Sequence, residues 1–204
     1  MNLLLKELKR SISVTLVLLL MCGLAYPLLL TGLSQVFFPN QANGSLVTAQ
    51  GEAVGSAIVG QNFTDPRFMK CRPSAVNYNT YTQEEKDSGV YGGIGSGSKN
   101  YAPTNPALLK RMEADRAAFL EANPSVKKEE IPTDLLTASG SGLDPHISLQ
   151  SALVQIPALA KETGLSEDRL KKMVNENKEG KVLGIFGEER VNVLGVNLQI
   201  AKAL

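Results

Sequence analysis

The sequence predicts an α+β protein, a single N-terminal transmembrane helix followed by one mixed α/β extracytoplasmic domain. Three observations predict it. An uncharged run of 22 residues, Ile12–Leu33, lies near the start. Two β-prone segments flank Gln50-Gly51, and the second half holds a succession of apolar stripes preceded by capping residues. The 204 residues leave room for that one domain and for no second large one.

At roughly 1.5 Å per residue the apolar run reaches about 33 Å, enough for a hydrocarbon core of about 30 Å. Pro27 is expected to kink it, and the carbonyl freed near Gly23 needs a partner, most easily on a neighbouring helix. Gly23, Ala25 and Gly32 offer the small surfaces on which such helices pack. Lys6, Lys9 and Arg10 outweigh Glu7 before the run, and the next charge after it is Glu52. The positive-inside rule then makes residues 1–11 cytoplasmic, 12–33 spanning, 34–45 a linker and 46–204 an external domain. A cleaved signal peptide carries a shorter apolar region, about 7 to 15 residues, and a small-residue cleavage site. "SQVFFPNQ" offers none. The expected location is the cytoplasmic (inner) membrane of a bacterium, crossed once, with the lipid bilayer as a partner.

After the Pro/Asn/Gly linker "FFPNQANGS", Leu46–Ala49 and Ala53–Val59 read as a hairpin, with Gly55 and Gly60 hinting at a bulge or a close backbone approach. Gly93, Gly95 and Gly97 do not make a phosphate cradle, because Pro103 and Pro106 follow where a helix N-terminus is required, so that segment reads as a flexible loop. Asn105 caps a helix whose Leu108, Leu109, Met112, Phe119 and Leu120 form one stripe, read as core. Ser148 caps the next helix, Pro157 interrupts it and Gly164 closes it. Ser166 caps a third and Asn192 a fourth. On that last helix Asn197 sits amid Val193, Leu194, Ile200, Ala201 and Leu204, as either a core clamp or a partner contact.

Charge and composition exclude several functions. Lys plus Arg is 21 against 20 for Asp plus Glu, with no Trp, so nothing in the net charge calls for nucleic acid as a partner and the aromatic stacking platforms that single strands need are not expected. One histidine and two separated cysteines do not make a metal site, and the cysteines are not expected to pair. The N-x-S/T matches at Asn43 and Asn62 matter only in a glycosylating compartment. The stretch "SGSGLDPHIS" invites a hydrolytic triad of Ser141, Asp144 and His146. A triad, however, is brought together from distant segments with the base between its partners, and Pro145 divides these three within six positions. The better reading is a rigid structural or docking corner. Gly140 and Gly142 allow a tight loop, Asp144-Pro145 fixes a turn, and Ser139, Ser141, His146 and Ser148 flank it, Asp144 and Ser148 holding it.

Seven blocks in order carry a more specific signal: "YPLLLTGLSQVFFPNQANGSL", "GSAIVGQNF", "RPSAVNY", "SGSKNYAPTNPAL", "IPTDLLTASGSGLDPHIS", "QIPALAKETGLS" and "GEERVNVLGVNLQIAKAL". In these the chain resembles KdpC, the C subunit of the Kdp high-affinity potassium-transporting P-type ATPase. It departs from the family pattern at Ala158-Leu159-Ala160, where an arginine usually follows "QIP", and in the loop from Gly89 to Asn100. The resemblance implies two partners, a channel-like subunit that carries potassium and a P-type ATPase subunit that hydrolyses ATP. This chain contains neither the D-K-T-G-T motif of the second nor the T-V-G-Y-G filter of the first. It implies a non-catalytic role in assembly and modulation, described for the family as that of a catalytic chaperone raising ATP affinity, with Gln155 among proposed nucleotide contacts. On this reading no cofactor is bound tightly, and ATP and potassium act through the complex. The rival reading is a free-standing membrane-anchored protein that binds a small external ligand.

Overall fold

A computed structural model describes residues 2–204, in two compact units that divide between Val47 and Thr48. The first is dominated by one helical rod: α1 (Asn2–Leu20), a π turn (Met21–Ala25) and α2 (Tyr26–Phe37). Its 35 residues from Leu3 to Phe37 are long and apolar enough to cross a membrane, and none is buried. The rod therefore exceeds the uncharged run at both ends.

The π turn has a local cause. Pro27 has no N–H to offer the carbonyl of Gly23, and the helix widens over the turn that precedes it, where Tyr26 N–H reaches back five residues to Met21 O. The sequence reading sought relief on a neighbouring helix, whereas the chain changes its own pitch. Beyond Phe37 the expected linker contains a helical turn, α3 (Pro39–Ala42), and the Asn43 amide donates to Pro39 O at 2.7 Å.

The second unit is mixed α/β. The hairpin of β1 (Leu46–Ala49) and β2 (Glu52–Ser56) begins two residues before the division. Gln50 (φ 53°) and Gly51 (φ 87°) both take the left-handed backbone that matches the twist of a two-residue hairpin. After it come α4 (Gln83–Asp87) and α5 (Pro106–Ala122), separated by long irregular segments. The rest is a compact sequence of β3 (His146–Ser148), α6 (Leu149–Leu153), α7 (Ile156–Thr163), α8 (Glu167–Glu176), β4 (Lys178–Glu179), β5 (Arg190–Asn192) and α9 (Val193–Ala203). The three strands form an antiparallel sheet in the order β3-β5-β4, with Ile147 opposite Val191.

Helices α5, α6, α8 and α9 each start where a side chain serves a free N–H group. Asn105 accepts from Ala107, Ser148 from Ser151, Ser166 from Arg169 and Asn192 from Gly195. Gly164 ends α7 in the left-handed conformation at φ 72°. The core joins Ile147 and Val191 of the sheet to Ile156 and Leu159 of α7, Leu170 and Val174 of α8, and Val193, Val196 and Ile200 of α9. Met69, from an irregular stretch, is fully buried among them.

The stripe on α5 does not join this core. No residue of α5 is buried and Leu109 is half exposed. Arg111 instead ties the helix on by donating to Leu136 O at 3.2 Å, while its 2.6 Å bond to Asp115 stays within the helix. On α9 the apolar face is rotated from the expected one: Val196 is buried, while Ala201 and Leu204 are exposed.

Candidate functional site

Two buried carboxamides grip adjacent residues of one irregular segment. Asn197 Oδ1 accepts from Met69 N–H at 2.8 Å and its Nδ2 donates to Met69 O at 2.9 Å. Gln155 Oε1 accepts from Lys70 N–H at 2.8 Å, and its Nε2 donates to Lys70 O at 3.2 Å and Ser151 O at 3.0 Å. Each amide thus plays the part of a neighbouring strand to one residue. Both side chains are 3% exposed, so these bonds form away from water and satisfy backbone groups that no sheet serves. Of the two readings left open for Asn197, the geometry shows the clamp within the core. Lys70 is held further by its own ammonium, which donates to the carbonyls of Phe63 at 2.6 Å and Asp65 at 2.8 Å. Burial pulls its pKa below the usual lysine value.

The chain leaves this clamp through Cys71 and Arg72 and meets the corner at Ser139–Ser148. Ser139 is buried and its Oγ accepts from Gly142 N–H at 2.9 Å, closing the tight loop. Ser141 Oγ accepts from Leu143 N–H at 3.1 Å, and its carbonyl takes both Gly97 N–H (2.7 Å) and the Ser96 hydroxyl (3.0 Å). Gly142 sits at φ 68°, where a Cβ would lie 2.8 Å from Gly97 O. Gly140 has open space. Gly60 shows the close approach its position suggested: its N–H donates to Leu143 O at 2.8 Å, and a Cβ there would lie 2.5 Å from Asp144 O.

Asp144 is the centre of the corner. Its Oδ1 accepts from His146 N–H at 3.0 Å and its Oδ2 from the Arg72 guanidinium at 3.2 Å. Burial by itself pushes the carboxyl up, but the His146 hydrogen bonds and the Arg72 charge together outweigh it and hold Asp144 below the usual range. Pro145 is buried, and its carbonyl accepts from Val193 N–H at 3.0 Å, tying the corner to the start of α9. The His146 ring lies between two carboxylates, Nδ1 3.6 Å from Asp144 and Nε2 3.3 Å from Glu179. No hydrogen bond among the described residues joins it to Ser141, so the three members of the imagined triad do not form a relay.

The residues that hold Ser148 were not legible in advance. Asp134, fourteen positions upstream, accepts from Ser148 N–H at 2.8 Å, from its hydroxyl at 3.1 Å, and from the Ser151 hydroxyl. Tyr78 is the other. Asn77, Tyr78 and Asn79 are all left-handed, at φ 47°, 50° and 55°. This unusual turn sends the Tyr78 hydroxyl to Arg72 O at 2.8 Å, while the Asn79 amide holds Gly95 through N–H and C=O at 2.9 and 3.1 Å. The glycine loop is thereby fastened to this turn at Gly95 and to the corner at Ser96 and Gly97. Asx residues tolerate such backbone, which is the one signal in "VNYNT" that could have pointed here.

The small-residue positions of the first unit, Gly23, Ala25, Pro27 and Gly32, all lie on the exposed rod, with no heavy atom within 4 Å of a Cβ built at Gly23 or Gly32. Among the described residues no group of three or more His, Cys, Asp or Glu stands close enough to hold a metal ion.

Fold and site together define the class: one long apolar helix followed by a small mixed α/β domain whose buried polar groups brace its own backbone. Comparison with known proteins then supplies the family. Residues 8–202 match the model of KdpC, the c chain of the K+-transporting ATPase. The chain is 70% identical to the potassium-transporting ATPase KdpC subunit of Clostridium kluyveri over 98% of this chain and 95% of the relative. It is 56% identical to that of Clostridioides difficile, over 98% of each, and 45% identical to that of Caldanaerobacter subterraneus, over 98% and 96%. The chain belongs to the KdpC family.

Proposed function

We propose that this chain is a non-catalytic accessory subunit of an ATP-driven, high-affinity potassium uptake complex. Its helix spans the cytoplasmic membrane with the N-terminus inside, and its domain lies outside, where it helps assemble a channel-like potassium-carrying subunit with a P-type ATPase subunit. The observation that carries this reading is that the family match covers helix and domain together, residues 8–202, while the polar groups of the corner and the clamp are taken up by the chain itself. Modulation of the ATP-hydrolysing subunit, on this reading, passes through contacts between subunits. Gln155 supports the same view, because a nucleotide reaching its amide would have to displace Lys70 and Ser151 from a side chain that is 3% exposed. The surplus of Lys6, Lys9 and Arg10 before the rod supports the orientation.

The test is a single cysteine at position 168, whose side chain is 98% exposed, in a background with Cys22→Ser and Cys71→Ser. Asp168→Cys should react with an impermeant thiol reagent in intact cells. Labelling only after lysis would put the domain on the side of the ATP and overturn the orientation. Assembly is tested separately: deleting residues 41–204 should prevent recovery of an intact, potassium-stimulated ATPase, and full activity after that deletion would overturn the accessory role.

A further inference from the structure

Between β4 and β5 the chain projects a loop that the domain's packing does not use. Val182, Leu183, Ile185 and Phe186 are 61%, 84%, 75% and 63% exposed. Yet their backbone is closed on itself: Val182 N–H donates to Phe186 O at 2.8 Å and Phe186 N–H to Val182 O at 2.9 Å. Leu183 is left-handed at φ 54°, which is unfavourable for any residue with a Cβ. A leucine both strained and hydrated is a cost to the isolated domain, and nothing within the fold offsets it. The base of the loop, by contrast, is braced by charge. Lys178 lies 3.3 Å from Glu189, Arg190 lies 2.7 Å from Glu179, and Glu179 meets His146 at 3.3 Å. The result is an apolar tip on a stiff stalk.

We propose that this tip is a docking anchor that inserts into an uncharged apolar recess on another subunit of the same ATPase complex. The proposal rests on the accessory-subunit reading and names the surface it uses. Charge selects the occupant. A tip made to enter lipid gains from a basic collar facing anionic headgroups and from interfacial Trp or Tyr. From residue 178 to residue 190 the collar holds Lys178, Lys181 and Arg190 against Glu179, Glu188 and Glu189, three of each sign, with neither aromatic. A balanced collar, four of whose six charges already pair with each other, gains little at an anionic surface, and it suits a recess on protein. Area excludes a second copy as the occupant, since four side chains cannot supply the roughly 800 Å² per partner of a self-sufficient interface. A chain held to its complex by further contacts needs only a buried anchor here.

The experiment uses the full chain co-produced with its complex, isolated through a tag on a different subunit. Leu183→Ser combined with Phe186→Ser should lower recovery of this chain with the tagged subunit by about tenfold or more, with its amount in the membrane fraction unchanged. Recovery equal to wild type would overturn the tip as an anchor. A photo-cross-linking amino acid at position 183 decides the matter even where the double variant is degraded. An adduct with another subunit supports the proposal, and adducts with lipid alone, with a second copy of this chain, or with no protein overturn it. Should the wild-type chain itself not accompany the tagged subunit, the accessory-subunit reading falls and the anchor with it. Co-recovery of wild type and variant alike removes only the anchor.

Discussion

Asn197 and Gln155 show how a single side chain can replace a strand. Met69 and Lys70 run through the interior without a sheet neighbour, so their peptide groups depend on two carboxamides that arrive from α9 and from the junction of α6 and α7. Removing one amide strands a buried N–H and a buried C=O, each costing about 1–3 kcal/mol. Asn197→Ala should therefore destabilise the domain by about 2–4 kcal/mol in denaturant unfolding. Asn197→Asp should recover little, because a carboxylate can accept from Met69 N–H but cannot donate to Met69 O. Gln155→Ala should cost a similar amount while leaving the ATP dependence of the assembled complex unchanged. A raised KM for ATP with unaltered stability would contradict the structural role.

Asp144 belongs to the same scale but responds to pH. Its carboxyl is held below the ordinary Asp value of 3.8, and Glu179 below the ordinary Glu value of 4.5, where hydrogen bonds and charge from Arg190 and His146 outweigh burial. Below those ordinary values the unfolded chain takes up protons that the folded chain refuses. Stability is then fully present above them and is lost as the pH falls through the lower folded-state values. Asp144→Asn should make the acid limb of an unfolding-midpoint titration shallower, and an unchanged limb would count against the Arg72–Asp144 pair. Ser141→Ala should be mild. His146→Ala should also be tolerated, because the backbone N–H at 146 still bonds Asp144.

At the scale of elements, the corner separates two glycines that look alike in the sequence. Gly142→Ala must place a Cβ 2.8 Å from Gly97 O at φ 68°, so it should destabilise the domain by more than about 1 kcal/mol and loosen the glycine loop. Gly140→Ala meets open space and should be neutral. Equal effects in thermal unfolding would mean that the strap formed by Gly95 to Gly97 does not depend on this approach. Local chemistry was legible here: the caps at Asn105, Ser148, Ser166 and Asn192, the stop at Gly164 and the turn at Gln50-Gly51 all follow from side chains within a few residues of the backbone they serve. What joins distant segments was not. Nothing in the sequence pairs Asn197 with Met69, or Asp134 with Ser148, because periodicity reports a face and not what it meets. The stripe on α5 is the counterpart error. Five apolar residues at helical spacing describe an amphipathic helix, yet this one lies against irregular chain and buries none of them fully.

The whole molecule couples a rod to a domain through about ten residues, and that coupling has a thermodynamic consequence. The core and nearly every polar anchor described above lie within residues 48–204, so a fragment of residues 45–204, which keeps the first hairpin intact, should fold cooperatively in aqueous buffer. Folding is one matter and retention in a complex another. On the proposed function the domain is fixed to the membrane by its own helix and would meet its partners at an effective concentration near the millimolar range, and joining two contacts in this way strengthens binding by about 10²–10⁴-fold without any new interaction. Added in trans to a complex assembled without this chain, the fragment should bind about 10²–10⁴-fold more weakly than the full chain, and it should restore activity only at high concentration. Titrating fragment against potassium-stimulated ATP hydrolysis measures the difference directly. Restoration at the concentration that suffices for the full chain would mean that the rod adds nothing to binding, so that the domain's own surface, the apolar tip included, holds the subunit in place.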